Sequence, residues 1–362
     1  MKVKLHLKSA VLFACLVGND YAQKSTATLT YPETTKGTTI DNYFGNEVAD
    51  PYRWLEDDRS SKTEDWVKSQ NKVTQGYLDH ISYRDHIKER MTKLWNYEKY
   101  SSPTRHGDYD YFYKNDGLQN QYVLLRQKEG MEAEVFLDPN TFSEDGTTSL
   151  SDVSFTKDGK KVAYAISEGG SDWRKVIVMD ALSKEILEDT IKDVKFSNIS
   201  WYKNEGFYYS SYDKPSGSEL SAKTDQHKLY YHKLGTDQSE DELIFQDPEN
   251  PTHYHFGYIT EDDKYYVMLK QPGTDGFATY YKDLENDGEF VELFEGYSNK
   301  SSVVHHHEGR FLVLTDIDAP NYRLISVDPA NPQPENWVEI IPESENLLEG
   351  VSTGGGKMFA TY

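Results

Sequence analysis

The chain has 362 residues with 39 basic and 61 acidic side chains, a formal charge of −22. That balance excludes nucleic acid and an anionic membrane surface as the main partner, because both repel a net-negative protein. The length suffices for two or three domains or one large repeat fold, and 28 tyrosines among many Gly, Asp and Asn residues indicate a β-rich chain with tight turns.

Residues 1–22 read as a secretory signal. Lys2, Lys4 and Lys8 precede an apolar run, Ala10 to Gly18, that is too short to span a bilayer, and small Ala22 precedes Gln23. Asp20 sits awkwardly, where a small residue is normally wanted. The alternative is a lipoprotein signal ending at Cys15, but Leu16 and Val17 continue the apolar run past that cysteine. Export places the mature protein in the periplasm or outside the cell. Cys15 is the single cysteine, so the mature chain has no disulfide and is held by packing. No later apolar run is long enough for a membrane helix, and no membrane partner is expected.

A first helix is expected from Ser61, with Ser61 and Glu64 as a capping box and Trp66, Val73, Tyr77 and Ile81 near one face. A second covers Tyr83 to Trp95, with Ile87, Met91, Leu94 and Trp95 as its apolar stripe. Two helices cannot bury such stripes alone, so they require another layer.

From about Lys99 the texture changes to short strands and turns. Runs such as YDYFYK, KVAYAIS, GFYYSSY, KYYVMLK, RFLVLTD and KMFATY each follow a polar turn. The turns carry Gly107, Gly159, Gly206, Gly309 and Gly355, with Lys264 in the place of a glycine in the fourth. A further strand (YVLLRQ, KVIVMD, KLYYHKL, TYYKDL, RLISVD) and a weaker segment follow most of them. A repeat of roughly 50 residues with several strands per unit is the signature of a β-propeller. The expectation is five blades over about 99–342, then the start of a sixth. Either the last strand closes a five-bladed ring on blade one, or the chain is part of a larger ring. Two unmet burial needs, the helical stripes and the open blade face, favour the larger ring.

Gly350-Val351-Ser352-Thr353-Gly354 spells G-x-S-x-G, the pattern of a nucleophile elbow. The elbow needs a buried strand before the serine and a helix after it. Here ESENLLEG precedes and GGGKMFATY follows, so Ser352 is assigned to the turn of the repeat and not to catalysis. His305, His306 and His307 are assigned to a polar turn, because adjacent histidines on a strand point to opposite faces. His253 and His255 share a strand face without an acidic or thiol partner at useful spacing, and a polar pocket or channel lining is expected there. Paired acidic residues are expected to mark solvated turns rather than a glycosidase centre. No metal or cofactor is expected, since the chain has no phosphate loop, dinucleotide fingerprint or zinc spacing.

DPYRWLEDD (50–58) carries a more specific signal, extended by WNYEKYSSP (95–103), SEGGSDW (167–173), DVKFSNISW (193–201), HKLYYHKLGTDQSEDEL (227–243) and APNYRLI (319–325). These ordered segments, from about residue 31 to the end, resemble the N-terminal part of the prolyl oligopeptidase family of serine peptidases. The resemblance implies a mainly β chain. Residues 23–97 would be a helical arm of an α/β-hydrolase domain, and 98–362 a partial propeller of an expected seven blades. It implies cleavage of short peptides after proline by a Ser-Asp-His set in a C-terminal segment beyond these residues, so no catalytic residue is carried over and the chain alone is expected to be inactive. The partners implied are short proline-containing peptides and that segment.

Three residues match family positions. Phe196 in VKFS matches an aromatic near the bound peptide, His255 falls where the family lines the same pocket with an apolar side chain, and Asp172 in GSDW matches an acidic residue at the propeller–hydrolase interface. Phe196 could equally be an ordinary strand aromatic. Two other readings stay open: a related oligopeptidase that cuts after basic residues, and a self-contained propeller that only binds.

Overall fold

The computed structural model describes residues 29–213, 224–286 and 288–362, so the expected signal at 1–22 lies outside the described residues. The chain divides into two units, one up to Lys93 and one from Leu94 onward.

In the first unit, strands β1 (Ile40–Tyr43) and β2 (Asn46–Ala49) form a hairpin. Arg53, inside the DPYRWLEDD segment, pairs with both Asp41 of β1 and Asp50. The preceding leader is tied down by two indoles: Trp54 Nε1 donates to the Thr35 carbonyl and Trp66 Nε1 to Thr34 Oγ1, each at 2.9 Å. Helix α1 spans Ser61–Leu78. The expected capping box is absent. Ser60 is the N-cap and makes no side-chain cap bond, and Glu64 instead pairs with Lys68 one turn on, at 2.5 Å. A glutamate reaching forward to a lysine leaves the N-terminal amides to water or backbone partners. Ile81 lies beyond the end of α1. Helix α2 spans Arg84–Trp95, and its stripe of Ile87, Met91, Leu94 and Trp95 is exposed throughout.

The second unit is built of blades. Blade one holds β3 (Lys99–Tyr100), β4 (Thr104–His106), β5 (Tyr109–Asn115), β6 (Val123–Lys128) and β7 (Glu134–Leu137). Blade two holds β8 (Ser149–Phe155), β9 (Lys161–Ser167), β10 (Trp173–Asp180) and β11 (Ile186–Lys195). Blade three holds β12 (Ser200–Tyr202), β13 (Gly206–Ser211), β14 (Lys228–Lys233) and β15 (Glu242–Phe245). Blade four holds β16 (Tyr254–Ile259), β17 (Tyr265–Gln271), β18 (Ala278–Asp283) and β19 (Val291–Phe294). Blade five holds β20 (Ser301–His307), β21 (Arg310–Thr315), β22 (Arg323–Val327) and β23 (Val338–Ile341). Each blade is an antiparallel meander, and a hairpin of β24 (Gly350–Gly354) and β25 (Lys357–Thr361) follows. Among the described residues β25 pairs with β24 and not with blade one, so the five-bladed closure does not form.

Period-two patterning explains how blades stack, because each strand offers one set of side chains to either neighbour. Val162 and Tyr164 of β9 pack with Tyr111, Leu124 and Phe136 of blade one. Ala163 and Ala165, from the same strand, pack with Trp201, Phe207 and Tyr209 of blade three. In β13, Tyr208 turns the other way and meets Tyr266 and Met268 of blade four, whose own Tyr265 and Val267 face Phe311 and Val313 of blade five. One residue of register slip would exchange both faces of a blade at once.

The structure corrects three expectations. Apart from THYHFG in blade four, the first strand of each blade, ahead of the glycine turn, is absent from the expected strands; β12 has only three residues, too few to show alternation. His305–His307 are the end of β20 and not a turn. Ser352 lies in mid-strand on β24, opposite Phe359, while Gly355 and Gly356 make the turn with φ of 56° and 68°. A run of three glycines marks a turn without saying where it starts.

Candidate functional site

In a four-stranded meander the second-to-third loop and the link to the next blade share one end of the blade, and the first-to-second turn lies at the other. Phe196 follows β11 on the link into blade three, and Asp172 lies in the second-to-third loop of blade two. Both therefore belong to the same rim. Tyr212 after β13, and Tyr254 at the start of β16, join them there.

Phe196 takes a left-handed backbone with φ of 51°, uncommon for a non-glycine residue, which turns its ring out of the strand direction. The ring is 38% exposed and is met edge-on by Tyr254 at 5.6 Å and Tyr212 at 6.3 Å between centroids. On its other side lies the ammonium of Lys195, 5.1 Å from the Phe196 ring and 5.1 Å from the Trp173 ring. Lys195 is only 9% exposed and has no carboxylate within ion-pair distance among the described residues. Two aromatic faces stand in for the missing anion. Beside Phe196 a solvent-open recess of about 430 Å³ is lined by Arg174, Ser197, Asn198, Phe256, Gly257 and Tyr258.

The recess is held by bonds between blades. Asn198 Nδ2 donates to the Gly257 carbonyl at 2.8 Å, and the Ile259 amide donates to Ser200 Oγ at 3.0 Å. The Tyr258 hydroxyl donates to the Val303 carbonyl at 2.6 Å, linking β16 to β20. Within blade four Gly257 lies close against β17: a Cβ there would lie 2.0 Å from the Val267 carbonyl oxygen. At the opposite end, the first-to-second turns interlock with one another and with the end of β20, and Lys157 of blade two reaches across blade three to blade four. Asn204 Nδ2 donates to Asp158 Oδ2 at 3.0 Å, His306 Nδ1 meets Asp262 Oδ2 at 2.5 Å, and Lys157 lies 3.3 Å from Asp263 Oδ2.

His255 is 1% exposed, beneath the rim. Its Nδ1 donates to the His227 carbonyl, its own amide donates to His227 Nδ1, both at 2.8 Å, and Phe245 lies 5.0 Å from its ring. Burial holds its pKa below the ordinary histidine value. Its side chain does not reach the recess in this conformation. Tyr254 and Phe256, on the other face of β16, are half-buried; Phe256 lines the recess and Tyr254 packs against Phe196. Sequence reading picked the histidines of THYHFG and passed over the aromatics between and beside them. Period two was the available signal, and it assigns one set to the rim and the other to the core. Asp172 is exposed and has no ion-pair partner among the described residues.

A buried polar cluster joins blades two and three within the HKLYYHKLGTDQSEDEL segment. His232 Nδ1 bonds Asp241 Oδ1 at 2.7 Å and Nε2 meets Asp189 Oδ1 at 3.3 Å, while the Tyr209 hydroxyl donates to Asp241 Oδ2 at 2.7 Å. Burial lowers the pKa of His232, but the Asp241 and Asp189 carboxylates outweigh it and raise the net value. A raised folded-state pKa gives stability that is complete below the unfolded histidine pKa and lost as pH rises through the folded one. The urea midpoint is therefore expected to fall as pH rises from about 6 to about 9, and His232→Leu is expected to flatten that slope and to cost about 3–5 kcal/mol by leaving two buried carboxylates without a cation. A wild-type midpoint that rises over the same range contradicts the assignment.

Among the described residues no serine at the rim, Ser197 included, is hydrogen-bonded to a histidine or carboxylate that could activate it. Ser352 is exposed on the terminal hairpin, and no histidine or carboxylate hydrogen-bonds it among the described residues. Among those residues no three His, Cys, Asp or Glu side chains converge to hold a metal. The arrangement is an aromatic wall with two cations nearby, suited to receiving a short, partly apolar chain.

Successive antiparallel sheets stacked face to face, with a recess at one rim, define a β-propeller. Residues 31–362 match the family described as "Prolyl oligopeptidase, N-terminal beta-propeller domain", and the chain belongs to that family. It is 48% identical over 356 residues to a prolyl endopeptidase of Elizabethkingia miricola and 49% identical to one of Elizabethkingia meningoseptica, covering 98% of this chain and 50% of each relative. A structure from an analysis of two prolyl endopeptidases superposes with a TM-score of 0.80 at 31% identity, covering 91% of this chain and 49% of that one. Prolyl oligopeptidase B of Galerina marginata, bound to a 35-residue substrate, gives 0.77 at 29% identity, covering 91% and 51%. The chain spans about half the length of the curated relatives it matches.

Proposed function

We propose that these residues are the propeller-bearing part of a serine-type prolyl endopeptidase that hydrolyses short peptides on the carboxyl side of proline. The catalytic serine, aspartate and histidine come from an α/β-hydrolase segment outside these residues, whose partner surface includes Asp172 and to which the helical arm at 23–97 belongs. The mature protein is exported, periplasmic or secreted, after removal of residues 1–22. The propeller limits access: its far end is narrowed by interlocked turns, so a folded protein does not enter. Phe196 contacts the substrate upstream of proline, and His255 serves the same pocket from beneath by fixing the backbone of β16.

The observation that carries this reading is the exposed, strained Phe196 ring beside an open recess, on the rim that also bears Asp172. The same residues speak against a propeller that only binds, because relatives named prolyl endopeptidases align over nearly the whole chain. They also disfavour cleavage after basic residues: the charges beside the recess, half-buried Arg174 and buried Lys195, are cationic and would repel a basic side chain.

The test joins these residues to the C-terminal half of the Elizabethkingia miricola relative. Phe196→Ala in that protein is expected to raise KM for an apolar-Pro peptide about tenfold with kcat changed less than about twofold. An unchanged KM sinks the substrate role of Phe196.

A further inference from the structure

His227 touches three blades. It immediately precedes β14 in blade three, its Nε2 lies 3.2 Å from the Lys195 carbonyl at the end of blade two, and its Nδ1 accepts the His255 amide of blade four at 2.8 Å. These bonds fix the tautomer. Nδ1 is the acceptor, so Nε2 carries the hydrogen and donates to Lys195, and the ring is neutral. The His227 carbonyl in turn accepts from His255 Nδ1 at 2.8 Å, so the two histidines are bonded reciprocally. The carbonyl that His227 holds belongs to the residue immediately before Phe196, which has the left-handed backbone.

We propose that His227 is a positioning residue that sets the Phe196 ring by anchoring the Lys195 carbonyl, and that its protonation in acid releases the ring. The mechanism rests on the reading of Phe196 given above, but its physical basis does not. A proton added at Nδ1 would face the His255 N–H, donor against donor, inside a site with no exposure. The charged imidazole must leave that position, and the Lys195 carbonyl is then free to turn.

Backbone groups of Lys195 and Phe196 favour the charged form of His227, but burial outweighs them. From β11 comes the Lys195 ammonium, directed at Trp173 and Phe196. Tyr212, after β13, lies 4.6 Å from the ring, and from β16 come Tyr254 at 5.8 Å and His255 at 6.2 Å. On its own segment Asp225 lies two residues earlier, and Lys228 is already paired with Asp213 at 2.6 Å. Asp247 and Lys270, an ion pair, act on His255 from the next shell. Burial pushes the His227 pKa down to about 4, with the Lys195 carbonyl opposing and His255 adding to the depression. A depressed histidine pKa means that the neutral latch is intact above the free-histidine value and is lost as pH falls toward the folded one.

The experiment is fluorine NMR of the full chain carrying 4-fluorophenylalanine at position 196, titrated from about pH 7 to about pH 3.5 with far-UV circular dichroism in parallel. The wild-type resonance is expected to move to a second position with a midpoint near the pKa of about 4, while the β-sheet signal persists. His227→Gln keeps an N–H for the Lys195 carbonyl and is expected to hold the neutral-pH position throughout. His227→Asn keeps only the acceptor for His255 and is expected to show the displaced position at every pH. The proposal fails if the wild-type resonance stays fixed, if it moves identically in His227→Gln, if His227→Asn keeps the native position, or if β-sheet signal and resonance are lost together in wild type and His227→Gln alike. None of these outcomes depends on whether Phe196 binds peptide.

Discussion

A polypeptide of these 362 residues, purified free of host peptidases, is expected to leave a proline-linked chromogenic peptide uncleaved, at least about 10⁶-fold below an intact serine peptidase. The reasoning is chemical. Acyl transfer to serine needs a hydroxyl, a base within hydrogen-bond reach and donors for the oxyanion. The rim offers aromatic faces, a half-buried guanidinium and a buried ammonium, but no serine–histidine pair. Ser352, which sits in the one G-x-S-x-G pattern, is exposed and lacks both a base and the helix that shapes an oxyanion hole. Release of chromophore that follows the polypeptide through successive purifications and vanishes in Ser352→Ala would overturn this account.

Phe207→Ala is expected to cost about 3–5 kcal/mol, a large share of the ordinary stability of a folded domain. Phe207 is fully buried in the seam between blades two and three, with Trp201 at 5.3 Å edge-on and His232 at 5.3 Å. Its removal leaves a cavity lined by Ala163, Ala165, Val176 and Val178, small side chains on rigid strands that cannot collapse into it. The apolar seams form only between neighbouring blades, so the damage is expected to be local. Hydrogen exchange should quicken first in β10, β11 and β13, with β21 and β22 retaining protection. Val338→Ala, on the exposed outer edge of blade five, is the control and is expected to change stability by less than about 0.5 kcal/mol. Equal loss of protection in blades three and five would contradict the view of seams as separable units.

The propeller was legible because its signals are local and repeated. KVAYAIS became β9 residue for residue, and the unbroken aromatic and apolar runs in GFYYSSY and KYYVMLK mark strands that are buried on both faces. Most first strands were not legible, because they are short, like β12, or carry histidines, like β20, and their burial comes from neighbouring blades rather than from their own pattern. β11 was also missed; its glutamate, aspartates and lysines hide a ten-residue strand whose apolar residues, Ile191 and Val194, face blade three across a bulge. Phe196 was legible only through resemblance, since a positive φ on a phenylalanine has no composition signature. The His227–His255 pair was beyond sequence reading altogether: 28 positions separate the two rings, and only the stacking of blade three on blade four brings them together.

The central claim is that these residues form the access-limiting part of a proline-specific peptidase, and its most direct measurement is cleavage by these residues joined to the C-terminal half of the Elizabethkingia miricola relative. Matched peptides with proline or arginine before the scissile bond are compared, with circular dichroism to establish folding. The account predicts hydrolysis after proline and none after arginine. A folded product that cleaves neither peptide, or that prefers arginine, contradicts it.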